Sequence, residues 1–130
     1  MVLTWKELIK KVRAEIRELT AAQLEQELRS GNIVLIDVRE RDEFMNGHLP
    51  GAQCTPRGFL EMQIEGIAPD RNQTICLYDG GGNRSTLAAR SLQEMGYANV
   101  FSLAGGLSQW TRESKPIEFP KEPDIDPQLS

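Results

Sequence analysis

Apolar residues at Trp5, Leu8, Ile9, Val12, Ile16 and Leu19 recur every three or four positions with charges between them. This spacing predicts one helical stripe over 4–19 that needs a partner surface, either the chain's own core or a second protein. Thr20 reads as the N-cap of a second helix, Ala21 to Ser30, with Leu24 and Leu28 inward and Gly31 as its stop. The pattern then changes. Ile33-Val34-Leu35-Ile36 is a continuous β-branched and apolar run, suited to a strand buried on both faces of a parallel sheet, and Asp37 ends it. A short helix is expected around Arg41 to Asn46 with Gly47 as its stop, and His48-Leu49-Pro50-Gly51 turns the chain into an extended piece containing Cys54.

Residues 57–65 predict a further helix with Phe59, Leu60 and Ile64 inward, followed by a strand at Thr74 to Tyr78. A glycine-rich loop leads to a helix from Ser85 to Met95, with Leu87, Ala88 and Leu92 inward and Gly96 as its stop. Asn99 to Leu103 is the next strand, and Gly105-Gly106 breaks the chain before a last helix carrying Leu107 and Trp110. Strands alternating with helices at this pace indicate an α/β fold with a central parallel sheet. Residues 116–130 differ: they hold four of the seven prolines, interspersed with Glu118, Glu122, Asp124 and Asp126. Such a tail buries little and is expected to stay extended or mobile. The expected division is an amphipathic helical extension at 1–15, a folded domain at 16–115 and an acidic, proline-rich tail at 116–130.

At 130 residues the chain fits one domain that can bury roughly two-thirds of its unfolded surface. A net charge of −4 leaves no excess of cations for a phosphate backbone, so nucleic acid is not an expected partner. No apolar run approaches the roughly 18 residues that read as a bilayer span. Lys6, Glu7, Lys10 and Lys11 interrupt the N-terminus where a signal peptide would be apolar. A cytoplasmic location follows as the expectation, with no membrane association. His48 is the single histidine, and Cys54 and Cys76 lie 22 positions apart without a Cys-x-x-Cys. No metal site and no cofactor is therefore expected, and two reduced thiols fit a reducing compartment.

The chemistry concentrates at Asp79-Gly80-Gly81-Gly82-Asn83-Arg84, between a strand and the helix opening at Ser85. Strand, glycine-rich loop and helix start together aim several backbone N–H groups at one point, where the helix dipole adds partial positive charge. Such a place normally receives an anion or a nucleophile. Here its first position is already a carboxylate.

Three segments carry a resemblance: Asp37 through Gly47-His48-Leu49-Pro50-Gly51 to Ala52, the loop Asp79 to Ser85, and Gly96-Tyr97 with Leu103 to Trp110. In order and spacing they resemble the rhodanese-like family over about residues 16 to 112. The resemblance implies a rhodanese-like α/β fold, its parallel sheet flanked by helices on both sides. In that family a Cys-x-x-Gly-x-Arg-Ser/Thr loop carries a persulfide; Gly82, Arg84 and Ser85 match its fixed positions, and Asp79 falls where the cysteine stands. The six residues from Asp79 to Arg84 resemble the short, sulfur-handling loop rather than the longer one of related phosphatases.

A family cysteine attacks the outer sulfur of a donor such as thiosulfate and holds it as a persulfide. A carboxylate holds no sulfur in that way. It also repels an anionic donor, by about 4 kcal/mol for unit charges roughly 4 Å apart at an effective dielectric of about 20. Asp79 is thus expected to serve as the loop's built-in anion, with Gly80 and Gly81 leaving the mouth bare. An aspartyl nucleophile for phosphate is the minor reading, since no second carboxylate or metal pattern accompanies it. Arg84 divides evenly between anion ligand and structural ion pair. Asp37 and Arg39 read as a fold-holding pair, and His48 as a hydrogen-bonding partner of its turn rather than a general base. Cys76 falls within a core strand, whereas Cys54 lies near a strand end and is the better candidate for a reactive thiol.

Two functional readings follow. The first is a rhodanese-like domain without sulfurtransferase activity that binds a protein partner or a small anion. The second is a thiosulfate or persulfide sulfurtransferase, either one working through Cys54 or Cys76 or one into which Asp79 has been introduced.

Overall fold

Thr4 and Thr20 each close a capping box, with Glu7 and Gln23 as their reciprocal partners, and so start helices α1 (Trp5–Arg13) and α2 (Ala21–Ser30). The computed structural model describes residues 1–120. Five strands, β1 (Arg17–Leu19), β2 (Ile33–Asp37), β3 (Gln53–Cys54), β4 (Thr74–Tyr78) and β5 (Val100–Leu103), form one sheet in the order β1-β5-β4-β2-β3. Every pairing between them is parallel. The remaining helices are α3 (Arg41–Met45), α4 (Leu60–Ile67), entered through a 3₁₀ turn at Arg57–Phe59, α5 (Asn83–Glu94) and α6 (Gly106–Arg112).

The period-2 alternation of the central strands divides the core between two faces. Ile36, Ile75 and Leu77 point to one side, where Val12, Leu60, Ile64, Ala88, Ala89 and Leu92 from α1, α4 and α5 cover them. Leu35, Cys76 and Tyr78 point to the other, beneath Ala21 and Leu24 of α2 and Trp110 of α6. The sheet is therefore flanked by helices on both sides. β4 lies in its middle, so the loop after Tyr78 emerges at the carboxyl end of a central strand, where open parallel sheets hold their ligands.

Two expectations fail for physical reasons. The predicted helix over 4–19 ends at Arg13, and Arg17–Leu19 pairs with Phe101–Leu103 as an edge strand. Val12, Ile16 and Leu19 satisfy helical spacing equally well, but the open edge of β5 supplies hydrogen bonds that a longer helix would forgo. Phe59, predicted inward, is 50% exposed because it sits in the 3₁₀ turn, before the helical phase that buries Leu60 and Ile64 begins.

At the other end, Trp110 donates its Nε1–H to the carbonyl of Pro116 at 2.7 Å. His48 and Glu118 exchange both backbone hydrogen bonds at 2.8 Å in an isolated antiparallel bridge. The first residues of the expected tail thus remain extended but are tied to the domain, with Ile117 and Phe119 beside Gly47. The rest of that tail, 121–130, with Glu122, Asp124 and Asp126, lies outside the described residues.

Candidate functional site

The loop from Asp79 to Gly82 leaves β4 and enters α5 through Gly82, whose φ of 103° is left-handed. That turn brings the first N–H groups of α5 back toward the strand end. They converge on the carboxylate of Asp79, whose residue is 3% exposed. Gly82 N–H donates to Oδ1 at 2.7 Å and Arg84 N–H donates to Oδ2 at 3.0 Å. The Ser85 hydroxyl donates to Oδ1 at 3.0 Å. Because Ser85 spends its proton there, the Ser102 hydroxyl on β5, 2.7 Å away, is the donor to Ser85. Asp79 thus occupies the point on which these three donors converge.

α6 fixes this arrangement from behind. The N–H groups of Leu107 and Ser108 donate to the carbonyls of Asp79 and Gly80, both at 2.9 Å. So close an approach requires glycine at 106: a Cβ there would meet the carbonyl oxygen of Gly80 at 2.8 Å, on backbone with φ of 58°.

Arg84 does two things at once. Its Nε lies 3.4 Å from Oδ2 of Asp79, while Nη1 and Nη2 each donate at 3.0 Å to the two oxygens of Glu43 on α3. The hydrogen bonds from Arg84 hold the Glu43 carboxyl below its ordinary range, and Glu43 in turn raises Arg84. This bidentate clamp partly roofs the loop: a Cβ on Gly80 would be 3.9 Å from Nη2. The mouth is therefore not bare at Gly80, although Gly81 has nothing within 4 Å of where a Cβ would stand. Asn83 faces away from the cradle, its Oδ1 accepting from Nη2 of Arg13 at 3.0 Å.

Beside the loop, Asp37 and Arg39 form a buried pair. Nε of Arg39 donates to both carboxylate oxygens at 3.0 and 3.1 Å, and Nη2 donates to Oδ2 at 2.8 Å and to the Gly47 carbonyl at 2.8 Å. Burial pulls the guanidinium down, but the hydrogen bonds and charge of Asp37 outweigh it, so its pKa stays above the usual arginine value. His48 donates its Nδ1–H to the Leu49 carbonyl at 2.8 Å and stacks on Phe44 with ring centroids 4.0 Å apart. Sequence reasoning missed Glu43 and Ser102. Glu43 carries no local signal, because its partner lies 41 positions away; Ser102 is a polar residue within an otherwise apolar strand, which is a signal.

The two thiols stand apart from this cradle. Cys76 is fully buried in β4, and desolvation drives its pKa far upward. Cys54 is half-buried in β3, and both burial and the charge of Asp37 raise its pKa. Neither environment favours a thiolate. Iodoacetamide at pH 8 is expected to alkylate Cys54 more slowly than a free cysteine and to leave Cys76 untouched until the chain unfolds, as read by mass spectrometry. Among the described residues no group of acidic, histidine and cysteine side chains could hold a metal ion.

Comparison with known proteins places the chain among recognisable relatives. The profile of the rhodanese-like domain matches residues 20–113. A sulfurtransferase of Allochromatium vinosum is 30% identical over 107 residues, covering 82% of this chain and 98% of its own length. A thiosulfate sulfurtransferase of Haemophilus influenzae is 36% identical over 104 residues, covering 78% of this chain and 94% of its own. Among solved structures, a protein of unknown function from Rhodopseudomonas palustris, described as a possible tyrosine phosphatase, superposes with a TM-score of 0.82 at 30% identity. That match covers 91% of this chain and 96% of the other.

Proposed function

This chain belongs to the rhodanese-like domain family, and from that premise we propose that it is a member lacking sulfur transfer, acting as a binding or regulatory module. The observation that carries the reading is the carboxylate of Asp79 at the focus of the loop. Gly82, Arg84 and Ser85 donate to it, and these are the positions that match the family's persulfide loop. An anion already held by the donors of a small cradle leaves no room for a second one beside it. A carboxylate, moreover, forms no persulfide.

Sulfur transfer through another residue has less in its favour. Cys76 is sealed inside the sheet, and Cys54 lies on a different strand with its thiol disfavoured as thiolate. A sulfurtransferase into which Asp79 was introduced would share this geometry, and restoring cysteine at 79 would then recover its chemistry. A reducing, cytoplasmic setting belongs to the same reading, supported by two free thiols. Among the described residues no helix is long and apolar enough to cross a membrane.

The protein incubated with thiosulfate and cyanide is expected to form no thiocyanate above the uncatalysed background. Thiocyanate formation that disappears in Cys54→Ser would overturn the reading and move the chemistry to that thiol.

A further inference from the structure

Two parallel rows run along helix α1. Trp5, Ile9 and Arg13 form one at i, i+4 spacing, and Lys6 and Lys10, continued by the C-cap residue Ala14, form the other. Together with Asn83 at the start of α5 they line a groove of about 520 Å³. Ile9 is buried at its floor, whereas Trp5 remains 54% exposed at one end. The groove is elongated by construction: positions 5 to 14 span roughly 13 Å of helix.

Its charge runs against that of the molecule. The chain carries a net charge of −4, yet α1 holds Lys6, Lys10, Lys11 and Arg13 against the single acid Glu7. Glu7 is turned back to the backbone of Thr4. Among the described residues Lys6 and Lys10 make no ion pair, while Arg13 is committed to Glu18 and to the loop.

We propose that this groove docks an acidic, amphipathic peptide segment of a partner protein, its apolar side chains on Trp5 and Ile9 and its carboxylates against Lys6 and Lys10. The proposal deepens the reading of the chain as a binding module and rests on it. Charge complementarity selects an acidic partner, and the paired apolar and basic rows select an elongated helical segment over a compact anion. An exposed tryptophan at the end of such a groove is the kind of aromatic anchor on which binding energy concentrates. The site also reaches the loop after β4. Nη2 of Arg13 donates to Asn83 at 3.0 Å and to the Gly82 carbonyl at 3.4 Å, so an occupant lies directly against the loop that holds Asp79.

The test uses the full chain and a synthetic helical peptide of about three turns, with leucines at i, i+4 and glutamates along the flanking ridge. Trp110 is buried, so a change in tryptophan emission on titration reports Trp5. The expected result is saturable binding that weakens with salt and falls about tenfold or more in the Lys6→Glu, Lys10→Glu double variant, with its melting temperature unchanged. A matched peptide carrying lysine for glutamate is expected not to bind. The proposal is overturned if the acidic peptide fails to bind, if charge reversal leaves its affinity unaltered, or if the lysine peptide binds equally well. Stronger competition at the groove by an oligonucleotide or inorganic phosphate also overturns it, as does sedimentation showing that a second copy of the chain covers α1. None of these outcomes alters the thiocyanate result, so failure here and failure of the broader reading are distinguishable.

Discussion

Asp37→Ala is expected to lower the free energy of unfolding by about 3–5 kcal/mol, and the melting temperature by on the order of 10–20 °C. Asp37 is fully buried and Arg39 is 6% exposed, so removing the carboxylate strands a guanidinium inside the fold. Arg39 would retain its bond to the Gly47 carbonyl, its place near the Tyr78 ring and the more distant charge of Glu43, which is itself paired with Arg84, so no direct ion-pair partner is left. The backbone N–H of Arg39, which donates to Oδ1 of Asp37 at 2.9 Å, loses its acceptor as well. Replacing both partners with apolar residues of similar size, Asp37→Leu with Arg39→Met, is expected to cost much less, because no charge is left buried. Denaturant unfolding of the single and double variants checks both statements. Equal losses would mean that the pair contributes through shape rather than through charge.

The parts of the fold legible in the sequence are those whose signals are local. Thr20 marks the start of α2, Gly31 its end, and the runs at 33–36 and 74–78 become β2 and β4. What escaped depends on partners distant along the chain. Arg17–Leu19 is a strand because β5 offers an edge, and nothing between residues 4 and 19 encodes that edge. Likewise the glycine loop and Asp79 are visible as a motif, whereas the Glu43 clamp on Arg84 exists only after α3 has folded against it. Gly106 could be recognised as a helix boundary. Its tight approach to the backbone of Asp79 and Gly80 belongs to tertiary packing.

Besides its bonds to the Asp79 side chain, the loop is anchored by α6, whose Leu107 and Ser108 N–H groups hold the carbonyls of Asp79 and Gly80 whatever side chain stands at 79. Asp79→Asn keeps size while removing the charge, and is expected to let sulfate bind weakly near Arg84. The larger effect is expected from Asp79→Cys. The thiol would face the N–H groups of Gly82 and Arg84 at the start of α5, with the Arg84 guanidinium close by. These stabilise a thiolate, so its pKa is expected well below the free-cysteine value of about 8.5. That thiolate attacks the outer sulfur of thiosulfate, the S–S bond breaks, sulfite leaves and a persulfide remains. Intact-mass spectrometry of Asp79→Cys after incubation with thiosulfate, with the unaltered protein alongside, is the most direct measurement. A gain of one sulfur atom in the variant and none in the unaltered protein is the predicted result; a thiol at 79 that stays unmodified and titrates like free cysteine would contradict the occupied-cradle account.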